Sequence, residues 1–322
     1  MAGRGHSITL LTPPQARIYA ESRKYGLEAV ALPIAEKRPA GVFALRRWLK
    51  EQRPDIVNTH SSTDAWLTAL AGWRRTVRTR HISAPVSGHA PNRWLYGSAT
   101  RRVVTTGESL RRHLIERLRL PESHVVSIPT GIDLNVYKKT NKRILGLPED
   151  AFVFGIVATL RSWKGHADLI DAFSRLNDAR FHLVIAGDGP QRPALEKKLV
   201  ERVHLIGHRE DVPQVLEAFD IFVLPSYANE GVPQAVMQAM AMGLPVITTR
   251  VGAIEEVVTE GETGVFVPPR DVRALAEAMR SLAADEGSRR KFGEAGRRVA
   301  EQRFSIERML DRMEAVFKEA GQ

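Results

Sequence analysis

The stretch from Leu224 to Thr249, LPSYANEGVPQAVMQAMAMGLPVITT, leaves the backbone few options. The run Ile221-Phe222-Val223-Leu224 shows no polar alternation, so it reads as a strand buried on both faces, and Pro225 closes it. Pro233 has the fixed φ that suits a first helical position, predicting a helix of about ten residues. Gly243 suits the left-handed residue after that helix, and Pro245 forbids its continuation. A second strand follows at residues 246–249. A strand, a helix and a second strand in so short a span form a βαβ unit, whose strands are parallel and whose helix covers one face of the sheet.

The same alternation recurs along the chain. In the second half, strands are expected at residues 152–158, 181–186 and 203–206, with a proline-stopped edge strand at 264–269. Helices are expected at 166–176, 211–219, 271–284, 288–302 and 306–319. The first half alternates likewise: strands at 5–11, 27–32, 54–60, 103–106 and 125–129, another ending at Thr79-Arg80-His81, and helices at 16–25, 42–52, 63–72 and from 108 on. For 322 residues this predicts an α/β chain of two doubly wound, Rossmann-like domains facing across a cleft. The expected boundaries are a first domain at 1–140, a second at 141–302, and a last helix at 303–322.

Composition narrows the function classes. Without cysteine there is no disulfide frame, thiolate metal site or cysteine nucleophile. No apolar run approaches the roughly 18–20 residues of a membrane span. The net charge of +10 is uneven: residues 1–140 hold 23 Lys and Arg against 10 Asp and Glu, and the remainder 24 against 27. A basic first half fits an anionic partner, such as a phosphorylated glycolipid or an anionic membrane surface. No nucleic-acid-binding motif accompanies the charge, so nucleic acid is not expected as a partner. The helix at 42–52 sets Phe43, Leu45, Trp48 and Leu49 among Arg46, Arg47 and Lys50; packing on its own sheet is preferred to lying on a membrane.

Chemistry concentrates where strands end. A helix amino end beside Gly231 and Val232 offers free N–H groups and a positive dipole end to a phosphate, with Glu230 in front of it. Gln234 and Gln238, four apart, share a helix face. Arg161, Lys164 and Gly165 follow the strand at 152–158. Gly187-Asp188-Gly189 is a tight turn, and the dinucleotide fingerprint is not completed because Arg192 occupies its third glycine position. No Asp-x-Asp occurs anywhere in the chain, so no metal site of that kind is expected.

With Pro225-Ser226, Glu230, Gln238 and Lys164-Gly165 in view, the chain resembles the retaining glycosyltransferases of family 4, which have the GT-B fold. That resemblance implies transfer of a sugar from a nucleoside-diphosphate sugar, without metal or cofactor, to a glycan or lipid-linked acceptor in cell-surface polysaccharide or lipopolysaccharide synthesis. It also implies a cytoplasmic enzyme, peripheral on the inner membrane face. Glu230 takes the place of the glutamate that contacts the donor sugar. Gln238 stands where the family has the ribose-binding glutamate. Lys164 and Arg161 would hold the diphosphate, Arg161 replacing an arginine expected at Thr159. Gly187, Gly207 and the segment Gly231, Val232, Pro233, Gln234 would approach the nucleotide. His81, with His60 second and His89 third, would contact the donor sugar or its phosphate. The resemblance places a further strand, a Gly-rich loop and a helix ahead of Gly5, which implies an incomplete first domain, and it implies that the last helix, 303–322, packs back on the first domain. The rival readings are a non-catalytic nucleotide-sugar or lipid-binding remnant, and an epimerase, for which Asp55, Asp64 and Glu108 offer no convincing acid–base pair.

Overall fold

Every pairing between strands among the described residues is parallel, so each strand must be followed by a crossover before the next can pair. A computed structural model describes residues 1–81, 86–140 and 145–322, and they fall into two units. One comprises Met1–Ile128 with Leu310–Gln322, the other Pro129–Met309. The domain boundary expected between residues 140 and 141 involves 141–144, which lie outside the described residues.

The first unit runs β1 (Thr9–Thr12), α1 (Arg17–Glu21), β2 (Glu28–Ala31), α2 (Pro39–Gln52), β3 (Val57–Thr59), α3 (Ser62–Leu70), β4 (Thr76–Arg80), α4 (Ala90–Tyr96), β5 (Arg102–Thr105), α5 (Glu108–Leu118) and β6 (Val125–Ser127). Strands β3 to β6 form a sheet in sequence order, and β1 pairs with β2 separately. The helix α2 buries Leu45 and Leu49 against Leu67 and Ala71, as preferred, and leaves Phe43 exposed beside Arg46, Arg47 and Lys50. The helix α4 was not expected; His89 is its N-cap and Pro91 lies in its first turn, where a missing N–H costs nothing. Arg78 departs from the expected basic surface: it is buried, with its guanidinium 4.3 Å from the ring centre of Tyr96, and burial lowers its pKa.

The second unit runs β7 (Phe152–Val157), α6 (His166–Phe173), β8 (Phe181–Ala186), α7 (Arg192–Glu196), β9 (Val203–Gly207), α8 (Val212–Glu217), β10 (Ile221–Leu224), α9 (Gln234–Ala241), β11 (Val246–Thr249), β12 (Gly264–Val267), α10 (Val272–Ala284) and α11 (Glu286–Arg303). The helix α12 (Ile306–Gly321) closes the chain. The strand order β12-β11-β10-β7-β8-β9 puts the expected edge strand at an edge. Its core holds Phe154, Ile156, Leu183, Ile185, Phe222 and Val223, all essentially inaccessible. The order reverses between β7 and β10. The loops leaving those two strands therefore diverge and open a crevice at their carboxyl ends, the usual ligand position in such sheets.

Close packing makes particular glycines obligatory. A Cβ on Gly155 in β7 would stand 2.1 Å from the ring of Phe219. Phe219 is 4% exposed and has no space into which to retreat. Gly155→Ala should therefore destabilise the chain by about 3 kcal/mol, at the upper end of overpacking effects, as read from urea unfolding.

Candidate active site

The loops after β7 and β10 are joined by their backbones. Gly165 adopts φ +76°, and a Cβ there would lie 2.2 Å from the carbonyl oxygen of Pro225, so only glycine lets the first loop lie on the second. The amide of Tyr227 donates to the carbonyl of Trp163 at 2.8 Å. This seating brings Lys164 to Glu230, 66 residues along the chain: Nζ donates to Oε1 at 2.7 Å and to Oε2 at 3.0 Å. The hydroxyl of Ser226 donates to the same Oε1, and the Ser226 carbonyl accepts from the hydroxyl of Thr249. Gly252, at φ +63°, closes the other side, where a Cβ would meet the Glu230 carbonyl oxygen at 2.0 Å.

Glu230 is 4% exposed. A carboxylate this deep costs several kcal/mol in desolvation unless it is paired, and Lys164 and Ser226 offset that cost. Sequence reasoning nominated Glu230 and Lys164 separately, each toward a substrate; the structure joins them to each other. Ser226 and Gly252 were given no role, although Ser226 belongs to the quoted Pro-Ser pair.

The helix after this loop is shorter than expected. Pro233 is the N-cap rather than the first helical residue, because its ψ of 114° is extended; α9 is eight residues long. No side chain caps its amino end, which follows directly on Gly231 and Val232. Gln234 is exposed and Gln238 half-buried one turn further along.

The loops after β7, β8 and β9 are joined by backbone contacts as well. The amide of Gly187 donates to the carbonyl of Gly207, and a Cβ on Gly187 would stand 2.0 Å from the Ala158 oxygen. Leu160 donates to the carbonyl of Asp188, and Gln191 to that of Leu160. Gly187 and Gly207 thus sit at the ends of β8 and β9, on the same side of β7, both with positive φ.

Arg161 accepts from the Lys164 amide through its carbonyl at 3.1 Å. Among the described residues it lines a cavity of about 210 Å³ with His166, Asp168, Gln191, Tyr227 and Arg270, and neither Lys164 nor Glu230 lines that cavity. His166, the first residue of α6, is 2% exposed. Burial drives its pKa down to about 4; the nearby Arg161 carbonyl favours the charged ring somewhat, and Lys164 disfavours it.

The histidine nominations meet in the first unit. His60, after β3, and His81, after β4, stack with ring centres 5.2 Å apart and planes 10° apart. Nδ1 of His60 lies 2.9 Å from Nε2 of His81, so one nitrogen donates and the other accepts. Desolvation lowers both pKa values; the His81 charge lowers that of His60 further, and Asp64 opposes. Asp64 is engaged in a reciprocal capping box with Ser61 at the start of α3, and accepts from the His60 amide. That leaves Asp64 a structural role rather than an acid–base one. His89 is exposed.

Two consequences can be measured. Lys164→Met strands a buried carboxylate and should cost about 3 kcal/mol in urea unfolding, whereas the double variant with Glu230→Gln should recover most of the loss. His166 binds a proton at about pH 4 in the folded chain and near 6.5 when unfolded, so its contribution is intact above pH 6.5 and is lost as pH falls toward 4. The loss attributable to His166 across that window is about 3 kcal/mol, and His166→Phe, if folded, should flatten the stability–pH curve there.

Comparison with known proteins gives a consistent picture. Residues 137–299 match the family model for glycosyl transferases group 1, and residues 1–136 match that for glycosyltransferase family 4. The UDP-Gal:α-D-GlcNAc-diphosphoundecaprenol α-1,3-galactosyltransferase of Escherichia coli is 28% identical over 275 residues, covering 76% of this chain and 70% of the relative. A glycosyltransferase from Rickettsia africae superposes with a TM-score of 0.88 at 22% identity, over 99% of this chain and 91% of that one. HepE of Anabaena, solved with UDP, superposes at 0.84 and 20% identity, over 96% and 91%. HepE has also been solved with UDP-glucose.

Proposed function

Because the chain belongs to glycosyltransferase family 4 and carries its fold of two Rossmann-like α/β units, it is a glycosyltransferase that uses a nucleotide sugar, and we propose that Lys164, Glu230 and the amino end of α9 form the donor site. The observation that carries this reading is the bidentate Lys164–Glu230 contact at the sheet's reversal point, beside an uncapped helix amino end. Within it Lys164 is the mobile cation: Glu230 holds it in register until a diphosphate, with more charge and less burial, takes its place. The amides of Gly231, Val232 and Gln234 add hydrogen bonds to the distal phosphate, and Glu230, released from Lys164, accepts from the hydroxyls of the donor sugar.

Gln238 lies one helical turn from Gln234, in reach of a ribose by the family's pattern. An amide there loses the charge-assisted strength of a glutamate, roughly 1 kcal/mol. Gly187 and Gly207 leave the rim open for the nucleoside.

The reaction proposed is transfer with retention and without metal. The bond from the anomeric carbon to the diphosphate oxygen breaks, the acceptor hydroxyl oxygen bonds to the same face of that carbon, and the hydroxyl proton passes to the departing phosphate. Lys164 and the α9 amides stabilise the leaving group as its charge grows, where preorganised donors count most. His81, held by His60, is the candidate for a further contact to the donor sugar. Arg161 is better assigned to its own cavity than to the diphosphate.

The acceptor class proposed is a glycan or lipid-linked glycan. The E. coli relative is named for a diphosphoundecaprenol acceptor, and the first 140 residues of this chain are strongly basic. The exposed Phe43 among Arg46, Arg47 and Lys50 suits peripheral contact with an anionic membrane face. No helix among the described residues is long and apolar enough to cross a membrane.

The test is donor turnover by purified protein in EDTA, across a panel of nucleoside-diphosphate sugars. Wild type should turn over at least one donor, and Lys164→Ala and Glu230→Ala should each lose roughly 100-fold or more in kcat. Full activity in both variants would remove the site assignment, and activity only on adding a divalent cation would remove the metal-free mechanism. Donor binding without turnover would favour the non-catalytic reading.

A further inference from the structure

The cavity beside α6 has a chemistry of its own. Its volume is about 210 Å³, where a lone water needs only roughly 10–15 Å³ on the same measure. Arg161 and Arg270 reach it from separate loops, and the guanidinium of Arg270 is braced over Tyr227, 3.9 Å from the ring centre. Between them opens the first turn of α6, an eight-residue helix whose N-cap is Gly165 and whose amino end no side chain caps. Among the described residues the amides of Ala167 and Asp168 find no backbone acceptor.

A helix amino end alone would mean little; His166 is the independent sign. Its ring is 2% exposed and lines this cavity, and neither nitrogen has a hydrogen-bond partner of good geometry among the described residues, the Arg161 carbonyl being near enough only to favour the protonated ring somewhat. A buried polar group left in that condition destabilises the fold, a cost that a bound partner removes. A neutral imidazole offers one N–H donor and one acceptor nitrogen. Asp168, at the same cavity and in the field of Arg270, adds acceptor oxygens.

We propose that this cavity is a second ligand site, separate in its residues from the Lys164–Glu230 pair, and that it takes a phosphorylated monosaccharide. Two guanidiniums and the free amides of α6 require an anion with several acceptor oxygens, which a phosphomonoester supplies. His166 and Asp168 require hydroxyl donors, which inorganic phosphate cannot supply in number and a sugar can. Two cations against one carboxylate leave the site electropositive, so a neutral sugar is the poorer ligand.

Calorimetric titration of the full chain decides the matter, with glucose 6-phosphate, inorganic phosphate, glucose and UDP as separate probes. Glucose 6-phosphate should bind, and more tightly than inorganic phosphate or glucose. Arg270→Gln, a change at the exposed rim, should weaken it at least about tenfold, the loss of one charge-assisted contact, and leave UDP binding unchanged. Lys164→Ala should do the reverse. No binding of glucose 6-phosphate, displacement of it by UDP, or indifference to Arg270→Gln would overturn the second site, and equal affinity for inorganic phosphate would overturn the sugar. Failure of UDP to bind would count against the donor site alone.

Discussion

One buried carboxylate governs the arrangement of the second unit. Glu230 has almost no access to water, and its charge is tolerable only because Lys164 and Ser226 meet it. Each partner is placed by something else. Lys164 is placed by the close seating of Gly165 on Pro225, and Ser226 by the end of β10 and the hydroxyl of Thr249. The two loops are neighbours because the sheet order reverses between β7 and β10. A local charge problem and a global topology therefore have the same solution, and the crevice that results is where a donor diphosphate is proposed to sit.

The pairing also suits a resting state. A lysine held only by solvent would sample many rotamers, and ordering it on binding would cost roughly 1–2 kcal/mol. Held against Glu230, it is already extended toward the site. The exchange of one anionic partner for another then changes little except the positions of the charges, which is what preorganisation requires. Glu230 becomes available as Lys164 leaves it, while the amides at the uncapped amino end of α9 are already in place.

The sequence was most informative where burial is two-sided. The expected strands at 181–186 and 246–249 coincide with β8 and β11 residue for residue, since runs such as His-Leu-Val-Ile-Ala have no competing period. The glycosyltransferase family was legible from Pro225, Ser226, Glu230 and Lys164 together, as the family models agree. Less was legible in the first unit, where strands are three to five residues long and flanked by polar turns. There α4 was not foreseen, because its seven residues give too short a pattern to show a period. Contacts between distant residues were not legible at all. Nothing local to Lys164 announces Glu230, nothing local to His60 announces His81, and the place of Arg161 beside Arg270 depends on where β12 ends. Pro233 misled by one position for a simpler reason: a proline suits both the N-cap and the residue after it, and only the observed ψ decides.

The central claim is that Lys164 leaves Glu230 for a diphosphate. The most direct measurement is a crystal structure of the chain with UDP bound. It should show Nζ of Lys164 within hydrogen-bonding distance of a phosphate oxygen, and the amides ahead of Gln234 pointing at the same group. If Nζ were still seated on both oxygens of Glu230, with the diphosphate held elsewhere, the account would be contradicted.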